Sequence, residues 1–198
     1  MALSKIQTGL VDTNAIGSTE LNLADNFAFT GTVTGAGKIG QIVQSKKTDH
    51  FTTTSTSYIE IPGWSLVITP AAASSKIRVE CSIHHASVNS SGGGLILYRQ
   101  IGSGSFASVG QQSTQSNSRR KSNFAGSAYT GDGASDEIMV MTAVCDILDV
   151  PNTTQQITYK VYCVTQGSGY FFNRPETTSN TADQVDGVGT LTATEILA

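Results

Sequence analysis

Apolar and polar residues alternate most cleanly in KIRVECSI (76–83), where Ile77, Val79, Cys81 and Ile83 interleave with Lys76, Arg78, Glu80 and Ser82. A period of two with one apolar set predicts a half-buried antiparallel strand. The same period recurs in QITYKVYCVT (156–165), with Ile157, Tyr159, Val161 and Cys163 on one side, and GTLTATEIL (189–197) predicts a closing strand. IGQIVQS (39–45), FTTTSTSYIEI (51–61) and SLVIT (65–69) are further candidate strands, the last two separated by a Pro62-Gly63 turn. LILYRQI (95–101) and SFASVG (105–110), joined through Gly102-Ser103-Gly104, predict a hairpin. EIMVMTAVCDILDV (137–150) is apolar on both alternating sets, which predicts a central strand covered on both sides. About nine strands with turn signals roughly every ten residues predict an all-β, antiparallel β-sandwich, and the long polar connections favour jelly-roll-like Greek-key crossings over a meander. Of these connections, 111–135 is far longer than an ordinary loop, which points to a role in assembly or recognition.

Ahead of that body the pattern changes. Residues 1–26 show neither a sustained helical period nor strict alternation, and predict an extended arm. From 27 to 33 the period becomes two, with Phe27, Phe29 and Val33 on one side and Ala28, Thr30 and Thr32 on the other. A lone strand cannot satisfy its own backbone groups or cover its own apolar face. Burial against other chains follows, with Leu21, Leu23, Phe27, Phe29 and Val33 as the candidate docking residues. Gly35-Ala36-Gly37 reads as a joint. The expected organisation is an arm and stem over 1–38 and a β-sandwich head over 39–198.

Composition narrows the function. Charged residues make up 14% of the chain, well below the roughly 25% of an average soluble protein, and a net charge of −3 supplies no basic footprint for phosphates. The single basic run, Arg119-Arg120-Lys121, reads as a solvated loop. The expectation is a protein that binds no nucleic acid. Cys81, Cys145 and Cys163 each lie in an apolar run without CxxC spacing and read as small buried residues, and their odd number argues against a disulfide scaffold. MALSKIQTGLV lacks a signal-peptide core and no stretch is apolar enough to span a bilayer as a helix, so neither membrane insertion nor Sec export is expected.

Candidate chemistry is sparse. His84 and His85 are adjacent on a strand and point to opposite faces, so they cannot chelate one metal together, and no cofactor is expected. Glycoside cleavage needs two carboxyl groups flanking the bond, drawn here from Glu60, Glu80, Asp132, Asp136, Asp146 and Asp149, none of them in a recognisable motif. GSGSFA (102–107) lacks the helix that a phosphate loop requires. No catalytic residues and no enzyme are expected. Tyr170, Phe171, Asn173 and Arg174 in YFFNR are candidate glycan or receptor contacts, because aromatic and amide side chains at a sheet rim can stack on sugars; burial in the core or at a subunit interface is the competing reading.

MALSKIQTGLV, LADNFAFTGTVTGAG and GTLTATEILA, with FTTTSTSYIEIPGWSLVITPAAASSKIRVECSI, ILDVPNTTQQITYKVY and YFFNR between them, resemble short fibre and spike proteins of tailed bacteriophages, especially those infecting cyanobacteria and other marine bacteria. The resemblance spans nearly the whole chain. It implies a homotrimer in the virion, assembled in the host cytoplasm, whose N-terminal arm docks on capsid, portal, tail or baseplate proteins and whose head faces outward toward host surface polysaccharide. About 40 residues before the body is shorter than the shafts of long fibres, which favours a short spike and leaves a capsid decoration protein as the alternative; a polysaccharide depolymerase is the third reading.

Overall fold

A computed structural model describes residues 38–87, 93–110, 121–126, 140–176, 182 and 184–197. Leu21, Leu23, Phe27, Phe29 and Val33 lie outside the described residues, as does most of 111–135. The body belongs to one compact unit, Ala36–Ala198. Among the described residues every regular element is a strand, and no helix is long and apolar enough to cross a membrane.

Among the described residues eleven strands form two antiparallel sheets. In the first, β1 (Lys38–Lys47), β11 (Gly189–Leu197), β4 (Lys76–Ser87) and β8 (Met141–Asp149) lie in that order, and a short pair, β10 (Tyr170–Phe172) and β2 (Phe51–Thr53), extends it beside the end of β4. In the second the order is β3 (Ile59–Ile68), β9 (Ile157–Thr165), β5 (Gly93–Ile101) and β6 (Ala107–Ser108), with β7 (Phe124–Gly126) also on β5. Among the long strands, β1, β4, β8 and β11 belong to the first sheet, and β3, β5 and β9, which alternate with them along the chain, to the second. The chain therefore crosses between sheets at nearly every step, the connectivity of a jelly-roll-like sandwich.

Alternation decides which side chains meet in the middle. Ile77, Val79, Cys81 and Ile83 from β4 and Ile157, Tyr159, Val161 and Cys163 from β9 are all buried, together with Trp64, Leu66, Leu95, Leu97 and Leu191. Each fully buried large aliphatic contributes about 1.5–3 kcal/mol relative to exposure, which is why the alternating segments are the ones that form long strands. The hairpin predicted over 95–110 is present as β5 and β6, with Tyr98 opposite Ser108 and Gly102 at a positive φ of 53° in the connection.

Two local expectations are corrected. Pro62-Gly63 is not a turn between strands: β3 runs through it, and the register against β9 shifts between Glu60 and Ser65, with Gly63 at φ 70° supplying the left-handed residue of the irregularity. The segment ending in β8 is not a covered central strand. Among the described residues β8 pairs only with β4, and Val144 and Leu148 are 64% and 54% exposed. Its inward set, Ala143, Cys145 and Asp149, meets the core while the outward apolar set meets solvent.

Candidate functional surfaces and buried polar clusters

YFFNR does not form a rim contact. Tyr170 opposes Ser87 and Phe172 opposes His85 across β4, so the residues are drawn into the end of the sandwich. Tyr170 and Asn173 are fully buried and Phe171 nearly so, which removes the first two from direct contact with a glycan. Arg174 is half-buried and lies over the Phe171 ring at 4.8 Å. Asn173, at φ 61°, is a structural bracket: its backbone N–H donates to the His84 carbonyl at 2.8 Å and its amide donates to the carbonyls of Lys47 and Asp49 at 2.8 and 3.2 Å.

All three histidines of the chain gather around this end. His84 faces outward beneath Gly187, while His85 is 1% exposed and meets the Tyr170 ring edge-on at 5.3 Å. Burial, helped by the neighbouring His84, lowers the His85 pKa to about 4, so the ring is neutral at physiological pH. His50, beside Phe51 of β2, places Nε2 3.1 Å from Asp186, a partner that sequence spacing could not reveal. Five buried polar atoms here have no hydrogen-bond partner: Nδ1 of His84 and of His85, the Tyr170 hydroxyl, Oδ1 of Asn173 and Nε of Arg174. The opposite orientations expected of His84 and His85 are observed. Among the described residues no group of three metal-ligating side chains forms.

The outer face of the first sheet is a grid of threonines, charged and amide side chains and aliphatics. Ile42, Thr194, Arg78 and Leu148 share one row across the strands, Gln44, Thr192, Glu80 and Asp146 the next, and Lys46, Thr190, Ser82 and Val144 a third. Arg78 donates to both Asp146 oxygens at 2.9 and 2.7 Å and lies 3.1 Å from Glu80. An open depression of about 260 Å³ sits beside them, lined by Glu80, Ser82, Val144, Thr190 and Thr192. Among the described residues Glu80 and Asp146 are the only pair of the predicted carboxylate candidates placed opposite each other. The Arg78 hydrogen bond holds Asp146 below the usual carboxylate range, the reverse of what a general acid requires. Glu60 is paired with Lys160 at 2.8 Å and Asp149 is buried in a separate cluster, while Asp132 and Asp136 lie outside the described residues.

The outer face of the second sheet differs in chemistry. Tyr98 and Tyr162 lie with ring centroids 4.2 Å apart and planes tilted by 35°, Phe106 lies 6.5 Å from Tyr162, and Lys160 sits 5.0 Å over the Phe106 ring while paired to Glu60. All three rings are half-buried. These aromatics were not singled out from sequence, although a signal existed: in TYKVYC, Tyr162 shares the outward parity of Lys160 rather than the inward parity of Tyr159.

At the opposite end of β4 from the histidines, Asp149 accepts a hydrogen bond from Arg99 at 2.6 Å through one oxygen and from the Tyr159 hydroxyl at 2.6 Å through the other. This ties the edge of the first sheet to the middle of the second. Burial, with Asp149 alongside, raises the Tyr159 pKa, so the phenol remains a donor. No protein-family model matches the chain, and no curated protein matches it significantly.

Proposed function

We propose that the chain is a structural protein of a tailed-phage virion, a homotrimeric short fibre or spike that attaches through residues 1–38 and presents the β-sandwich as its head. The observation that carries this reading beyond the resemblance is the outer face of the first sheet. Ile42, Val144 and Leu148 are exposed there among threonines, and Arg78 pairs with both carboxylates between them, Glu80 and Asp146, offsetting one of the two negative charges. A flat face of this kind suits burial against another copy of the head better than turnover of a substrate. Contact with host surface polysaccharide falls to the Tyr98, Tyr162 and Phe106 face, where aromatic rings and a balanced Lys160–Glu60 pair offer stacking and hydrogen bonding without net charge.

Gel filtration with light scattering tests the assembly: three times 20.7 kDa is expected, and a stable monomer overturns the trimer. A map of the particle tests the placement. Copies at a vertex, tail or baseplate support the spike, whereas copies spread over the capsid lattice replace it with a decoration protein. Removal of residues 1–38 should leave a soluble head that no longer enters particles.

A further inference from the structure

Two of the three cysteines face each other. Cys81 on β4 and Cys145 on β8 are direct cross-strand partners, and both are buried on the core side of their strands. Directly opposed residues of an antiparallel pair have Cα atoms about 4.5–5.5 Å apart, inside the span of about 4.4–6.8 Å that a disulfide bridges. Both are free thiols in the structure, and Cys163 lies on β9 of the other sheet with Ile59 and Leu95 as its cross-strand partners. The pairing escapes a reading of spacing alone, because 81 and 145 belong to distant segments brought together only by the sheet.

We propose that Cys81 and Cys145 form an intrachain disulfide on exposure to an oxidising disulfide such as oxidised glutathione, fastening the edge strand β8 to β4. In the first step the Cys145 thiolate attacks one glutathione sulfur, breaking the glutathione S–S bond and releasing one glutathione thiolate. The Cys81 thiolate then attacks Sγ of Cys145 in the mixed disulfide and expels the second glutathione. Two protein thiols are oxidised by two electrons, one glutathione disulfide is reduced to two thiols, and the two protons lost from the cysteines end on glutathione. Cys145 is the thiol that attacks the reagent first, since it lies on the edge strand and is the less buried of the two. Both thiols are sheltered while β8 is paired, so the reaction proceeds through fraying of that edge. Closing the long loop between the strands then raises resistance to unfolding without a new contact in the folded head. The occasion for it, release of a particle from a reducing cytoplasm, rests on the virion reading; the chemistry does not.

The test uses the purified full chain, so its failure leaves the virion reading untouched. The protein is incubated with oxidised glutathione, excess reagent is removed, and free thiols are counted in denaturant before peptide mapping without reduction. One free thiol in place of three, a peptide joining Cys81 to Cys145, and a higher denaturant midpoint that reverts on reduction are expected. Cys163→Ser should still form the bridge, and Cys145→Ser should retain its two remaining thiols. Three free thiols after oxidation, a bridge that includes Cys163, or a bridge between two copies overturns the proposal.

Discussion

The sandwich holds a buried polar cluster at each end of β4, and the two are built on opposite principles. At one end Asp149, Arg99 and Tyr159 satisfy one another, with each carboxylate oxygen taking one short hydrogen bond. At the other, His85, Tyr170 and Asn173 are more deeply buried but leave His85 Nδ1, the Tyr170 hydroxyl and Asn173 Oδ1 unpaired. A satisfied buried network fixes one arrangement of the elements it joins, whereas an orphaned polar atom carries its desolvation penalty with no return. The first cluster thus acts as a clamp between sheets. In the second, aromatic packing, backbone hydrogen bonds and the Asn173 amide bonds to the Lys47 and Asp49 carbonyls hold the fold, while the orphaned polar atoms contribute little.

The sharpest way to break this comparison is to remove the centre of the clamp. Asp149→Ala strands Arg99 and the Tyr159 hydroxyl together, and loss of one partner from a buried ionic network costs about 3–5 kcal/mol. Chemical denaturation should show that loss. A change below 1 kcal/mol would mean that the clamp is incidental.

Acid probes the other end. The folded pKa of His85 is lowered to about 4 from 6.5, so the unfolded chain binds the extra proton first. Stability is then fully present above the unfolded value and declines as pH falls from about 6.5 toward 4, by up to about 3 kcal/mol. The lowered carboxylates Asp49, Asp146 and Glu195 act in the same direction, but their contribution is lost only as pH falls below their ordinary values of 3.8, 3.8 and 4.5, so most of the histidine window lies above theirs. His85→Gln should flatten the curve between pH 4 and 6.5 and leave the lower fall in place. An unchanged slope would show that the histidine is protonated in the folded head.

These clusters also show where sequence was informative. Alternation in KIRVECSI and QITYKVYCVT named the core residues of β4 and β9 because a strand buried on one face has only one solution to its parity. The segment ending in β8 was misread because its outward Val144 and Leu148 mimic a covered strand, and only pairing reveals that the chain places it at an edge. YFFNR offered an aromatic rim on composition. Its actual place depends on registry with His85, Ala86 and Ser87, some 85 residues earlier in the chain. The Asp149 clamp was invisible for the same reason: its three members lie on β5, β8 and β9, and no local pattern links them.

Gly93 tests how tightly the unsatisfied end is packed. A Cβ at this position would fall 2.5 Å from the Tyr170 ring, closer than any real contact. Gly93→Ala forces the ring to move and should cost about 1–3 kcal/mol through overpacking. Silence at this position would show that Tyr170 has room to shift, and that packing is not what holds this end.

The smallest effect is the most discriminating, because it compares one chemical change at both ends. Tyr159→Phe removes a hydroxyl whose donor bond reaches a buried carboxylate and should cost about 1–3 kcal/mol, since the Asp149 oxygen is left without that partner. Tyr170→Phe removes a buried hydroxyl that bonds to nothing, while its ring keeps the edge contacts with His85 at 5.3 Å and Phe172 at 4.6 Å. The second substitution should therefore leave stability within about 0.5 kcal/mol of the parent or raise it slightly. Equal losses at the two positions would mean that the Tyr170 hydroxyl has a partner in solution, and the contrast between a satisfied clamp and an orphaned cluster would collapse.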